Sequence, residues 1–192
     1  MPGTGDSGLL RSAIFEDIPE NTIQELCGRG HVLSFDADSK LFERGESGEE
    51  LMILLDGVVE LVIPLRVLGV SREVPMESKH AGDVVAWSAL VRPYHFTLSA
   101  RCATKCKLMS FGRAALFRFF EADPATGYVF MRNLAGVIGR RLQALQTMWM
   151  HDLEATAVKR LERRARRVVA RHGLSGAVSS HDLAGRCESG WR

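Results

Sequence analysis

Between His31 and Phe111 the chain never keeps one apolar period for longer than a short strand. Short apolar clusters recur between turn residues: HVLSF, KLF, LMILL, VVELVIPL, REVPM, VVAW, FTLSARC and CKLMSF. Gly45, Gly48, Gly57 and Gly82 stand at the turns. Thr97–Cys102 alternates, with Leu98, Ala100 and Cys102 on one face and Thr97, Ser99 and Arg101 on the other. Many short strands at this spacing can close into a sandwich, a barrel or a jelly roll. Periodicity alone leaves those three open.

Helical patterns flank the strands. Leu9 to Ile14 and Pro19 to Cys27 read as short helices, and Gly28 to Gly30 stop the second. Asp17 is placed to cap that second helix, and Pro19 suits its first turn. From Arg113 the period becomes helical again. A first helix carries Phe117, Phe119 and Phe120 and ends at Ala122-Asp123-Pro124. A longer one is expected from about residue 125 to 150. On it Met131, Ala135, Ile138, Leu142, Leu145 and Trp149 follow spacings of 4, 3, 4, 3 and 4, an a/d seam. Phe130, Leu134 and Val137 form a second stripe beside it. Two stripes need two partners: the strand domain and the same helix of a second subunit. Homodimerisation is the expectation, and intrachain burial of both stripes is the alternative.

Charge divides the chain further. Residues 157–172 hold Lys159, Arg160, Arg163, Arg164, Arg166, Arg167 and Arg171 against Glu162 alone. That is net +6 in a chain whose total is +2, so the remainder is net −4. Val158, Leu161, Ala165, Val168 and His172 form an apolar stripe among these cations, which makes a basic amphipathic helix. The surface suits the phosphates of DNA, bound without sequence preference, or an acidic protein. Ser179-Ser180-His181-Asp182 has capping-box spacing before Leu183-Ala184.

Several classes are not favoured. No apolar run reaches the roughly 18–20 residues of a membrane span, and the N-terminus lacks a signal-peptide pattern, so a cytoplasmic protein is expected. Cys27, Cys102, Cys106 and Cys187 are too scattered for a zinc or iron–sulfur site. Cys102 and Cys106 read as buried thiols. Glu49, Glu50 and Asp56 read as turn and surface charges rather than metal ligands. No nucleophile stands beside a base by sequence logic, so the chain is not expected to be an enzyme.

The order of strand roll, short helix, Pro turn and long helix resembles the cyclic nucleotide-binding domain. More closely, it is similar to the effector half of the catabolite activator (Crp/Fnr) family over roughly residues 8–172. Two segments carry the likeness. GESGEELMILLDGVV, Gly45–Val59, resembles the family's gapless Gly-x11-Gly hairpin, and FMRNLAGVIGRRLQ, Phe130–Gln143, resembles the start of its dimer helix. The resemblance implies an α+β fold: a β jelly roll (double-stranded β-helix) with short N-terminal helices and a long C-terminal dimerisation helix. It also implies three parts, a disordered stretch at 1–8, the domain at 9–150 with dimer helix 125–150, and a basic tail at 151–192. The tail resembles a truncated helix-turn-helix domain. The sequence stops ten residues after Asp182, without room for turn, recognition helix and wing.

By the same resemblance Ala81–Ala100 is the phosphate-binding cassette. Family members place a Gly-Glu near its start, for the ribose hydroxyl, and an arginine near its end, as a charge-assisted fork for the cyclic phosphate. Here Ala86-Trp87 stands at the first site and His95 or Phe96 at the second. The hydroxyl residues that reach adenine from the helix fall near Leu145 and Gln146. Three determinants of cAMP recognition are thus missing, although WSALVRPYHFT resembles a variant cassette of related bacterial domains, in which an arginine is usual at His95. The candidate ligand positions are Val85, Ala86, Trp87, Ser88 and Ala89, then Arg92, His95, Phe96 and Thr97, with Gln146 on the helix. Ser88 offers a hydroxyl to an anion, or only a cap. Arg92 replaces the lost arginine if its loop folds inward, or is solvated. His95 binds phosphate when protonated, or lies half-exposed. Trp87 fills or underlies the pocket.

The leading expectation is a dimeric, non-enzymatic ligand-sensing regulator with cAMP binding weak or lost. A cyclic nucleotide is the cofactor-like ligand the family implies, and no other is indicated. The alternatives are a Crp/Fnr-type DNA-binding transcription regulator and an interaction module with an empty pocket, holding an acidic partner through its basic tail.

Overall fold

The computed structural model describes residues 9, 11–67 and 70–171. Seven antiparallel strands form two sheets: β1 (His31–Phe35), β7 (Cys106–Gly112) and β3 (Glu50–Asp56) in one, and β2 (Lys40–Phe42), β6 (Ser99–Cys102), β4 (Val59–Val67) and β5 (Val70–Lys79) in the other. Helix α1 (Glu20–Cys27) precedes them, and α2 (Arg113–Ala122) and α3 (Pro124–Arg171) follow. Seven of the eight apolar clusters became strands, FTLSARC only over Ser99–Cys102. VVAW did not: Val84 makes a single bridge to Ile53 and the chain then turns into a 3-10 segment, Trp87–Leu90.

Strands β3 and β7 show why LMILL and CKLMSF read as almost unbroken apolar runs. Successive side chains of a strand point to opposite faces, and here both faces are covered. Leu51, Ile53 and Leu55 of β3, with Met109 and Phe111 of β7, join a core built with Ile14, Phe15, Ile23, Leu26, Phe119, Phe120, Phe130 and Leu134. Leu54, Cys106 and Leu108 point the other way, into a core shared with Phe42, Val59, Leu61, Ala100 and Cys102 of the second sheet. Two sheets enclosing one core, with helices on the outer face of the first, make a jelly-roll-like α+β fold.

Three local expectations change. Asp17 does not cap α1, which starts at Pro19 without a side-chain cap. Asp17 instead sits at φ 62° and pairs with Arg132 of α3 at 2.7 Å, while Asn133 donates to the carbonyls of Ile14 (3.2 Å) and Glu16 (2.6 Å). The alternation at Thr97–Cys102 is broken because Ser99 is buried, its Oγ accepting from the Arg44 amide at 3.0 Å. Helix α3 does not stop near residue 150. It continues to Arg171 because residues 140–171 contain neither glycine nor proline. Its start is well defined: Asp123 accepts from the Thr126 hydroxyl (2.6 Å) and amide (3.1 Å), with Pro124 behind it. Those bonds hold the Asp123 carboxyl below the usual carboxylate range. By its internal contacts the chain divides into two units, Met1–Arg141 and Leu142–Arg192.

The paired glycines of the hairpin, Gly45 and Gly57, adopt φ of +91° and +95°. They differ in surroundings. A Cβ on Gly57 would lie 2.4 Å from the Lys105 carbonyl oxygen and 2.8 Å from Cys106 Sγ, whereas nothing lies within 4 Å of one on Gly45. Gly57→Ala is therefore expected to cost about 2–6 kcal/mol, combining left-handed strain with overpacking. Gly45→Ala should cost only the strain, roughly 1–3 kcal/mol. Urea unfolding of the two variants checks the difference. The Cys102 thiol, buried in the same region, is pushed up to about 12 by desolvation and by Cys106, so at neutral pH it stays a protonated core residue.

Candidate functional site

Ala81–Ala100 is held to β3 at its start and to the Gly45–Gly48 turn before β3 at its end. Gly82, at φ +94°, donates its amide to the Leu54 carbonyl (2.7 Å), and the Val85 amide reaches Met52 (2.9 Å). The far end returns through a cis Arg92-Pro93 bond and Tyr94 at φ 64°. There the Gly48 amide donates to Tyr94 (2.7 Å), and Gly45 and Phe96 exchange with each other's segment, Gly45 to the Phe96 carbonyl (2.8 Å) and Phe96 to Glu46 (3.0 Å). Arg113 clamps the middle. Its guanidinium donates to the Gly48 carbonyl at 2.7 Å, pairs with Glu49 at 2.8 Å and lies 4.3 Å from the centre of the Tyr94 ring.

These bonds fix which side of the returning strand faces inward. Phe96 is buried and stacks on Phe42, with ring centres 3.9 Å apart and planes 19° from parallel. His95 faces out and is exposed. Beside the stack lies a pocket lined by Phe42, Leu61, Val85, Ser88, Phe96, Thr97, Leu98 and Arg141, with a volume of only about 10 Å³. That is about the space one water needs.

Arg141 of α3 is the one charged side chain in this lining. Its Nε lies 3.2 Å from Glu77 Oε2, and its Cζ lies 5.7 Å from the centre of the Trp87 ring, a cation–π distance. Glu77 also pairs with Lys79. Burial holds the Arg141 guanidinium below its ordinary value, and Glu77 acts in the opposite direction.

The family profile of the cyclic nucleotide-binding domain matches residues 32–123, the span from β1 through the cassette to the end of α2. Residues 32–123 are a cyclic nucleotide-binding domain. No curated protein matches the chain. Among solved structures, it resembles a Geobacter metallireducens GS-15 protein assigned as cyclic nucleotide-binding, with 28% identity and a TM-score of 0.59 over 69% of this chain and 95% of that one. It also resembles the N-terminal domain of a transcriptional regulator from Streptomyces coelicolor A3(2), with 20% identity and TM-score 0.60 over 72% and 94% of the two chains. The catabolite activator protein of Thermus thermophilus matches with 18% identity and TM-score 0.61, over 70% of this chain and 60% of that one. At these identities the last two show the fold alone.

Within the cyclic nucleotide-binding domain, the structure brings Val85, Ser88, Phe96 and Thr97 into the pocket lining. Ala86 and Ala89 are buried in the cores instead. Trp87 packs against the helix-side core and covers Arg141. Arg92 and His95 are exposed and outside the lining, because the turn at Pro93 and the Phe96 stack direct both away. Gln146 is exposed on α3. Sequence reasoning missed Phe42, Leu61, Leu98 and above all Arg141, although Arg141 stands in the RRLQ motif. It also missed Glu77 and Lys79, which carried no motif at all.

Along α3, Phe130 and Leu134 are buried and Val137 and Ile138 lean on the same core. Met131, Leu142 and Trp149 of the other stripe are 38%, 54% and 63% exposed. Ala135 is exposed and Leu145 half-buried. Lys159, Arg160, Arg163, Arg164, Arg166 and Arg167 are all exposed, as are Val158 and Leu161. The side chains of Ala165, Val168 and Arg171, and all of His172 and the Ser179–Asp182 motif, lie outside the described residues. No helix among the described residues is long and apolar enough to cross a membrane. Among them no group of histidine, cysteine and carboxylates could hold a metal ion.

Proposed function

We propose that the chain is a dimeric, non-enzymatic regulatory protein whose cyclic nucleotide-binding domain binds cAMP weakly or not at all. One observation carries this reading. Phe96 fills the inward position where the family's phosphate-binding arginine is expected, and its stack on Phe42 leaves about 10 Å³. Trp87 stands where the ribose-binding glutamate is expected. The pocket's single charged residue, Arg141, is engaged with Glu77. A lost charge-assisted hydrogen bond costs on the order of 1.5–3 kcal/mol. Two such losses weaken binding by roughly a hundredfold to ten-thousandfold. Titration calorimetry of the full chain with cAMP should show no micromolar binding, and micromolar affinity would overturn the reading.

The exposed cations of α3 favour a second, compatible role. They offer a surface for nucleic-acid phosphate, which makes sequence-independent DNA contact the next reading after ligand sensing. An acidic protein is the other candidate for that surface.

A further inference from the structure

The stripe that runs through Leu142, Leu145 and Trp149 changes chemistry without leaving its register. Their spacings of 3 and 4, carried on by the same rule, next reach Asp152, Thr156, Lys159, Arg163 and Arg166. All of these lie in the unit Leu142–Arg192, on the part of α3 that runs without glycine or proline to Arg171. Lys159, Arg163 and Arg166 are exposed, as are Asp152 and Thr156. The stripe that is apolar up to Trp149 is therefore cationic from Lys159 onward. Arg160, Arg164 and Arg167 each stand one residue after one of these three cations. A helix turns about 100° per residue, so this second trio points away from the stripe.

We propose that two copies of α3 form one cationic cleft, half of it from each chain, and that this cleft takes duplex DNA between the two helices. The proposal rests on the dimer reading and gives the basic surface its geometry. Seam positions of a parallel helix pair face one another. Beyond Trp149 a closed seam would bring each of Lys159, Arg163 and Arg166 against the same residue of the second copy. Like charges brought together out of water are costly unless a counter-charge meets them. Asp152, the one carboxylate among these seam positions, lies about two turns before Lys159. The two helices therefore separate after Trp149, each unbroken, and their cations line a shared gap. Continuous helices that fork from a dimer seam straddle the major groove, which is wide enough to admit an α-helix. Lys159 to Arg166 covers about 10 Å of helix axis, and duplex DNA presents a charge about every 1.7 Å. Three cations per copy thus meet phosphates at whatever depth the fork settles. A single chain holds only half of the site.

The test measures binding of the full chain to a labelled duplex of random sequence across a salt series, with the oligomeric state read by light scattering. Three cations from each copy give the dimer a log–log slope of about −5. The Leu142→Asp/Leu145→Asp variant, as a monomer, should show about half that slope and bind at least tenfold more weakly. The triple variant Lys159→Gln/Arg163→Gln/Arg166→Gln, which strips the stripe, should lose more than half of the slope. Arg160→Gln/Arg164→Gln/Arg167→Gln removes the same charge beside the stripe and should keep most of it. Both triple variants should remain dimers, so their comparison decides the matter even if the aspartate pair does not fold. Sedimentation should find one duplex per two chains. Equal losses in the two triple variants, or a monomer that keeps the parent slope, overturns the cleft and leaves the dimer reading standing. A parent chain that scatters as a monomer removes the dimer reading and the cleft with it. A dimer that shows no salt-dependent binding to duplex overturns the cleft as a DNA site and turns attention to an acidic protein.

Discussion

The full chain carrying Leu142→Asp and Leu145→Asp is expected to behave as a monomer in light scattering, where the parent chain behaves as a dimer. Both residues lie on the α3 stripe that the chain's own core leaves uncovered: Leu142 is 54% exposed and Leu145 half-buried. An a/d stripe of this kind is covered economically by an identical stripe. Burying a leucine side chain is worth roughly 1.5–3 kcal/mol, and two per chain in a dimer come to roughly 6–12 kcal/mol. Replacing them with aspartates removes that burial and places like charges across the seam, where they lack water. The helix itself loses little, since aspartate differs from leucine by only some tenths of a kcal/mol in propensity. Gln143→Asp with Gln146→Asp is the control, because both are exposed and off the stripe. If the double leucine variant remains dimeric, the interface lies elsewhere on the chain.

How much could be read without coordinates depends on whether a residue's role was local. The seven strand clusters and the turn glycines were legible because alternation and positive φ are set by neighbours in sequence. Gly45 and Gly57 show this directly, each at a backbone angle that favours glycine. The buried stripe of Phe130, Leu134 and Val137 was legible for the same reason. VVAW was misread as a strand because four apolar residues satisfy a strand and a buried turn equally well. The end of α3 was misread because a switch from apolar to basic surface resembles a boundary, although nothing in the backbone breaks there.

The pocket was legible only in outline. Aligning the cassette showed that its charged ligands were gone, but not which side chain had taken the space. His95 and Phe96 were both candidates for the inward position, and one residue of register decides between them. The amides of Gly45 and Phe96 settle that register through bonds to a segment some fifty residues away. Arg141, Glu77 and Lys79 come from α3 and β5, and their meeting is a property of the folded chain with no trace in local pattern.

Binding of the chain to duplex DNA is expected to fall about a thousandfold between 50 and 200 mM salt, and to distinguish sequences by no more than a few-fold. The exposed cations described on α3 are Lys159, Arg160, Arg163, Arg164, Arg166 and Arg167. At about 100° per residue they fall within an arc of roughly 160°, while Val158 and Leu161 fall outside it. One face of the helix can therefore meet a run of phosphates while the other keeps its apolar residues. If each cation neutralises one phosphate, the log–log slope against salt is about −5. Phosphate contacts position a protein but carry no sequence information, which comes from base edges in a groove. Replacing Arg163, Arg164, Arg166 and Arg167 by glutamine leaves two of the six and should reduce the slope to about −2. A slope near zero for the parent chain would assign the basic face to an acidic protein instead. A selected duplex bound about a thousandfold more tightly than random DNA, the lower range of true specific complexes, would restore the reading of a sequence-specific transcription regulator.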